Sequence, residues 1–349
     1  YPLRRQRQMC IRDRINTLRN AIESADNIVI TCHKSPDGDA LGSSLAWYDF
    51  LTTCFKKNVS VVVPDAFPDF LRWLPHVEKV VRYDKHPEKA NKLFDSANLV
   101  FCLDYNTASR VEEMKDALEA CKSPKIMIDH HLNPSMETLL CISNPAISST
   151  SEIVFRLIWQ MNYFDAIEKH CAVAIYCGMM TDTGGFTYNS SYPEIFFIIS
   201  QLLTKGFDKD KIYRNVYNNY SAWAIRFRGY MMCQKLNVLD DFHASYFAIT
   251  REDMDNFHFT KGDAEGLVNE PLKIKGMKLS IALREDSLKE NTILVSLRSV
   301  DNFPCNEMAA QFYNGGGHLN ASGGRLNCTI EEAVDITRRA IEHYAHLLK

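Results

Sequence analysis

The sequence holds no Cys-x-x-Cys pair, no low-complexity tract, no internal repeat and no apolar run of membrane-spanning length. Each absence removes a class of protein. The eleven cysteines are odd in number and scattered, so their spacing spells neither a zinc ribbon nor a disulfide framework. Cys32, Cys102 and Cys177 lie inside apolar runs, where cysteine serves as a small core residue. A reducing cytoplasm is the expected location. A bilayer-crossing helix needs ~18 to 20 consecutive apolar residues, so no membrane partner is expected. Strong net charge is missing too: the chain carries -3 over 349 residues. That excludes the global positive field of a protein that grips long duplex nucleic acid. A small or short anionic ligand, neutralised locally, fits better. Residues 1–14 are basic and lack the apolar core of a signal peptide. They are expected to form a disordered or foreign tail outside the fold.

What is present is an alternation of strand-like and helical segments. Helical periodicity covers Ile15 to Ala25, and Asn27 to Cys32 is a β-branched run read as the first strand. A loop with Pro36 and Gly38 follows, then a helix from about Ala40 to Phe55. Val59–Val63, Leu99–Leu103 and Ile126–Ile128 are further strands. Helices are expected at Met114–Cys121, Ile153–Met161 and Cys171–Met180. Ser149-Thr150-Ser151-Glu152 has the spacing of a capping box at the start of the second of these. Residues 208–237 read as connecting helix. A new alternation then starts, with strands at Ala244–Ile249, Lys278–Leu283 and Thr292–Leu297, a helix at Asn306–Tyr313 and a last helix at Ile330–Leu347. The expected fold class is α/β. It has a mostly parallel, doubly wound sheet domain over 15–205, a helical linker over 206–240, and a smaller mixed-sheet α/β domain over 241–349.

Polar clusters sit where these apolar runs end. Asp129-His130-His131 follows the strand Ile126–Ile128, His33 with Asp37 and Asp39 follows the first strand, Asp104 ends the third, and Asp182 ends an apolar helix. Ligands of open α/β sheets bind at the carboxyl ends of strands. Hard divalent cations take carboxylate oxygen, and manganese-type sites add imidazole nitrogen. His33, Asp37, Asp39, Asp104, His130 and Asp182 are therefore candidate metal ligands. Six groups suffice for two ions that share a carboxylate. Two such ions activate water as a nucleophile in phosphoryl transfer, so no Ser or Cys nucleophile is required. Taken singly, each Asp also suits a cap or turn, and Asp39 before Ala40 reads equally as an N-cap. Gly315-Gly316-Gly317-His318, with Gly323-Gly324, exposes backbone N–H groups that can cradle an anion. Arg298, on a neighbouring strand, suits bidentate phosphate contact.

These residues resemble a known family. His33-x-x-x-Asp37-x-Asp39, Asp104 with Arg110, Asp129-His130-His131 and Thr181-Asp182-Thr183-Gly184 look like the four motifs of the DHH phosphoesterases. The stretch Gly315 to Gly324 looks like the signature of their DHH-associated C-terminal domain. The match runs in order over about residues 15 to 340. The layout, with Gly262 to Asn269 and Ser296-Leu297-Arg298-Ser299, most resembles the nanoRNase and pAp-phosphatase branch. Gly185 stands where Ser is common, and Ser322 where Ala is common.

The resemblance implies two manganese ions. His33, Asp37 and Asp104 would hold one. Asp39, Asp104, His130 and Asp182 would hold the other, with Asp104 bridging. His131 would contact the scissile phosphate or protonate the leaving oxygen, and Asp129 would orient a ligand histidine. Arg298, Gly316, Gly317 and His318 would grip a terminal phosphate, with Arg110 and Asn306 as further substrate contacts. The implied substrates are short single-stranded RNA or dinucleotides, cleaved to 5′-mononucleotides, and pAp. A homodimer is implied as well. The competing readings are a cyclic di-AMP or pApA phosphodiesterase and a nucleotide-binding sensor without turnover.

Overall fold

The computed structural model describes residues 2–260 and 262–348. They fall into two compact units that divide between Asn219 and Tyr220. The first unit comprises α1 (Pro2–Ser24), β1 (Asn27–Thr31), α2 (Gly38–Cys54), β2 (Asn58–Val63), β3 (Val81–Arg82), α3 (Pro87–Ser96), β4 (Leu99–Leu103), α4 (Lys115–Ala120), β5 (Lys125–Asp129), β6 (Leu140–Ser143), α5 (Thr150–Gln160), α6 (Lys169–Asp182), α7 (Pro193–Leu203) and α8 (Lys209–Tyr217).

The six strands form one sheet in the order β3-β2-β1-β4-β5-β6, with every pairing parallel. Both faces are covered, which is why the strands are nearly continuous apolar runs. Ile28, Ile30, Leu99, Phe101 and Leu103 point into a core with Trp47 and Phe50 of α2. Val29, Val100 and Cys102, one residue out of phase, point into the opposite core with Phe94 and Leu118. Burial of each large apolar side chain contributes about 1.5–3 kcal/mol relative to exposure.

Strand order places the site. The chain builds outward from β1 through β2 and β3, then returns to build the other way through β4, β5 and β6. Between β1 and β4 lies the switch point at which open parallel sheets form a crevice. Thr31 pairs with Cys102, and Leu103 with Ile128. Residues that follow β1, β4 and β5 therefore emerge side by side.

Helices α2 and α6 pack together in the core on one face of the sheet, and glycine lets them touch. A Cβ on Gly42 of α2 would stand 2.7 Å from the Ala174 carbonyl and 3.0 Å from Gly178 Cα of α6. A Cβ on Gly38 would stand 2.3 Å from Thr181 Oγ1. Cys171 Sγ donates to the Ala46 carbonyl at 3.4 Å. The pairings 38 with 181, 42 with 174–178 and 46 with 171 show that α2 and α6 run antiparallel.

The second unit comprises β7 (Asn237–Leu239), β8 (Ala244–Ile249), β9 (Leu279–Glu285), β10 (Ile293–Ser299), β11 (Gly316–Gly317) and β12 (Ala321–Leu326), with α9 (Ala222–Tyr230), α10 (Arg251–Asn256), α11 (Cys305–Phe312), α12 (Ile330–His343) and α13 (Ala345–Leu348). Its sheet runs β11-β12-β10-β9-β8-β7. Only β8 and β9 pair in parallel; the other pairings are antiparallel. Strand β10 alternates strictly, with Ile293, Val295 and Leu297 buried and Leu294, Ser296 and Arg298 half-buried. That two-residue period sets Arg298 on the face away from the core.

Several boundaries differ from the sequence reading. The first helix begins at Pro2 rather than Ile15, so helical backbone continues through the segment set aside as a tail; among its described side chains, Leu18 and Ile22 are buried. The division between units falls at 219/220, inside the segment read as a linker, so α8 belongs to the first unit and α9 to the second. Helix α2 starts at Gly38, and its N-cap is Asp37. The last helix breaks at Tyr344 into α12 and α13. Strand β3 has only two residues and β6 only four, too few for alternation to show.

Candidate metal centre

The site is built from strand ends and helix starts. Asp37 caps α2: its Oδ1 accepts from the backbone N–H of Asp39 at 3.0 Å and of Ala40 at 2.9 Å. Its Oδ2 faces His33 Nε2 at 3.7 Å. One carboxylate thus both starts a helix and faces the site. Asp39, in the first turn, is not the cap. Its Oδ2 accepts from Thr150 N at 2.6 Å and its Oδ1 from Ser151 N at 2.8 Å, both at the start of α5. A helix N-terminus stabilises negative charge, which compensates part of the cost of burying this side chain, 1% exposed.

Asp104 is central. It is 2% exposed, and its Oδ2 lies 3.4 Å from His33 Nε2 while its Oδ1 lies 3.5 Å from His130 Nε2. Thr150 Oγ1 donates to that Oδ1 at 2.9 Å. The backbone of Asp104 is left-handed, with φ +64°, at the point where β4 ends. Such a conformation at a non-glycine residue costs of order 1–3 kcal/mol and persists where surrounding structure holds it.

The two histidines are oriented alike. His33 Nδ1 donates to the Lys34 carbonyl at 2.8 Å, and His130 Nδ1 faces the Ile147 carbonyl at 3.3 Å. This leaves both Nε2 atoms turned toward carboxylates. His130 Nε2 meets Asp104 and Asp182 at 3.5 Å each and Asp39 at 4.0 Å. A metal-binding imidazole typically has its second nitrogen on a carbonyl or carboxylate in this way.

Electrostatics point the same way. Burial opposes charge on His33, but hydrogen bonds and charge from Asp104 and Asp37 push it up to about 10. Burial also opposes charge on His130, and Asp182, Asp104 and Asp39 push it up to about 9. Burial works against ionising Asp104 too, yet the surrounding histidines hold its carboxyl well below the usual range. Asp39 is raised well above its ordinary value by burial and by the charges of Asp104 and Asp182.

The donor atoms form two triads, His33–Asp37–Asp104 and Asp39–Asp104–His130, each with all ligand atoms within 4.8 Å of one another. They share Asp104, and Asp182 faces the second across His130. Carboxylate oxygens and imidazole nitrogens in this pattern, buried except at the exposed Asp37, fit divalent cations. The histidine that Asp129 holds is His131, at 2.8 Å between Oδ1 and Nδ1, and not the carboxylate-facing His130. Asp129 is fully buried, and its Oδ2 has no hydrogen-bond partner among the described residues.

The second unit gathers the expected phosphate contacts. Gly316 and Gly317 form β11 against Ser322 and Gly323. The loop returns through His318, whose N–H donates to the Ala321 carbonyl at 2.8 Å, and Arg298 stands opposite Ala321 in the sheet. Gly315 and Gly324 are glycines for packing: their Cβ atoms would lie 1.9 Å from the Gly323 carbonyl and 2.4 Å from the Tyr313 carbonyl. Gly316 has nothing within 4 Å of its Cβ position, so its lack of a side chain only keeps backbone accessible. Asn306 joins this corner, because the neighbouring Cys305 N–H donates to the Leu319 carbonyl at 2.7 Å. Its buried Oδ1 has no partner among the described residues. Arg110 belongs to the other unit, where its carbonyl accepts from Lys34 N at 2.8 Å.

Thr150 and Ser151 escaped the sequence reading, which gave the run 149–152 a capping role only. Ser149 does cap α5, accepting from Glu152 N at 3.0 Å. The Glu152 carboxylate, however, bonds Ser148 rather than closing a box. The available signal was a run of small hydroxyl residues at a helix start, which does not reveal what the helix points at. Thr150→Val keeps the shape and removes the hydroxyl. Loss of such a support typically costs ~10–100-fold in activity or metal affinity, and we expect that drop in turnover with unchanged circular dichroism.

Comparison with known proteins follows the same outline. Residues 27–179 match the model of the DHH family N-terminal domain, and residues 243–346 match the DHHA1 domain. The crystal structure of an exopolyphosphatase-related protein from Bacteroides fragilis superposes with a TM-score of 0.91 at 51% identity, over 97% of this chain and 98% of that one. A bifunctional oligoribonuclease and PAP phosphatase NrnA of Thermus thermophilus is 29% identical over 86% of this chain and 84% of its own length. The cyclic-di-AMP phosphodiesterase PdeA of Listeria monocytogenes is 25% identical over 98% of this chain, which spans 51% of that protein. The chain belongs to the DHH phosphoesterase family, with a DHH domain followed by a DHHA1 domain.

Proposed function

We propose that the protein hydrolyses short RNA oligonucleotides to 5′-mononucleotides and pAp to AMP, with two manganese ions. The observation that carries the reading is Asp104, whose two oxygens face His33 on one side and His130 on the other. His33, Asp37 and Asp104 would hold one ion; Asp39, Asp104, His130 and Asp182 the other. When bound, the ions would activate water and stabilise charge on the phosphoryl oxygens. The chain's own residues do the rest. Asp129 holds His131 by Nδ1, which turns Nε2 outward as a contact or proton donor to the leaving oxygen as the P–O bond breaks. Thr150 and Ser151 fix Asp104 and Asp39 in place. On the second unit, Arg298, His318 and the N–H groups at Gly316 and Gly317 are the proposed phosphate grip, with Asn306 beside them. Arg110 is a further proposed contact. A cytoplasmic location, expected from the scattered cysteines, and a homodimer, implied by family resemblance, complete the proposal.

The similarity to a cyclic-di-AMP phosphodiesterase supports a second reading, action on cyclic di-AMP or its linear product pApA. One experiment separates the two. Purified protein with manganese is incubated with pApA, a short RNA, pAp and cyclic di-AMP, and products are resolved by chromatography. The expected result is cleavage of the linear RNAs and pAp with cyclic di-AMP intact, abolished by chelation and restored by manganese. Rapid cleavage of cyclic di-AMP alone replaces the first reading with the second. Saturable binding without any turnover replaces both with a nucleotide sensor.

A further inference from the structure

The antiparallel helices α2 and α6 carry metal-type residues at both ends. One end holds Asp39 and Asp182 of the centre described above. At the other, Asp49 of α2 meets His170, in the first turn of α6, and His76, in the turn before β3. Asp49 lies ten residues beyond Asp39, roughly 15 Å along a helix of ~1.5 Å rise per residue, so the two clusters are distinct.

One ligand atom from each of Asp49, His76 and His170 lies within 4.8 Å of the others. His76 Nε2 stands 2.7 Å from Asp49 Oδ1, and the His76 and His170 rings meet edge to face at 5.3 Å between centroids. A further observation points to a cation ligand. The Asp49 side chain is 8% exposed, yet its Oδ2 has no hydrogen-bond partner among the described residues. A buried carboxylate oxygen without a donor costs free energy that a bound cation would recover. The site is reachable, since His170 is exposed and His76 half-buried. Glu168, the N-cap of α6, adds negative charge near Asp49.

We infer that Asp49, His76 and His170 form a zinc site that clips the turn at residue 76 to helices α2 and α6. Two imidazoles and one carboxylate are a ligand set that zinc favours, and three protein ligands leave a fourth position to water or another donor. Imidazole suits zinc and carboxylate oxygen suits manganese, so this site, with two imidazoles to one carboxylate, differs in preference from the carboxylate-rich Asp104 centre.

The test counts bound zinc by elemental analysis after equilibration and dialysis of the full chain. His170→Ala removes an exposed ligand, and Asp49→Asn keeps the shape while removing charge. Each is expected to bind one zinc fewer per chain than the parent, with manganese-supported phosphoester hydrolysis unchanged. Asp104→Asn, altered at the other centre, is expected to keep the zinc that His170→Ala loses. Cobalt substitution should likewise lose one set of ligand-field bands in His170→Ala. A zinc count equal to the parent in either His170→Ala or Asp49→Asn overturns the proposal.

Discussion

Asp104→Asn is expected to lower hydrolysis of pAp or a short RNA by more than about 10³-fold, with the fold intact. The physical case starts with sharing: one carboxylate serves both triads, so its loss weakens both cation positions at once. Cations at a phosphoryl centre contribute several kcal/mol of charge stabilisation, and each ~1.4 kcal/mol is tenfold in rate. Asparagine is the right replacement because Asp104 has φ +64°. Asn tolerates the left-handed region, whereas another side chain there costs roughly 1–2 kcal/mol. Its amide oxygen can also keep the Thr150 hydrogen bond. Turnover, manganese stoichiometry and thermal unfolding would be measured together. Activity within about tenfold of the parent, at saturating manganese, would remove Asp104 from the centre.

Gly42→Ala is expected to lower the unfolding temperature by several degrees and to weaken manganese binding. Alanine normally stabilises a helix interior by ~1 kcal/mol over glycine. Here the new methyl would stand 2.7 Å from the Ala174 carbonyl and 3.0 Å from Gly178 backbone. Both are backbone atoms of α6, so no side chain can swing away and the helices must separate. Overpacking of this kind costs typically ~1–3 kcal/mol, and each kcal/mol shifts the midpoint by about 2–4 °C in a unit of this size. The separation reaches the metal centre, because Asp39 stands on one helix and Asp182 on the other. Gly229→Ala is the control: it lies in α9 with nothing within 4 Å of its Cβ position, so the propensity gain should survive. Equal stability changes in the two variants would show that the α2–α6 contact does not require glycine.

Where sequence reasoning went astray, the reason was local ambiguity. Asp37 and Asp39 are two residues apart at a helix start, and either composition suits a cap. Only the chain's path shows that Asp37 caps while Asp39 takes the N–H groups of α5, more than a hundred residues on. Asp129 and its two histidines are adjacent in sequence, so which ring Asp129 holds depends on side-chain direction beyond the strand end. The second cluster at Asp49, His76 and His170 has no motif, because its members come from three separate elements.

The sequence by itself determined the main element types and the doubly wound parallel sheet, and it singled out the six carboxylate and imidazole groups proposed to hold the metals. Those properties follow from short-range physics: apolar periodicity, strand ends that stop at ionisable residues, and glycine where backbone must stay bare. Tertiary structure alone decided that Asp104 is shared, that Thr150 and Ser151 support the carboxylates, and that α2 and α6 touch through glycine. Each of these depends on which distant segments are brought within hydrogen-bond or van der Waals range, and spacing along the chain does not encode that distance.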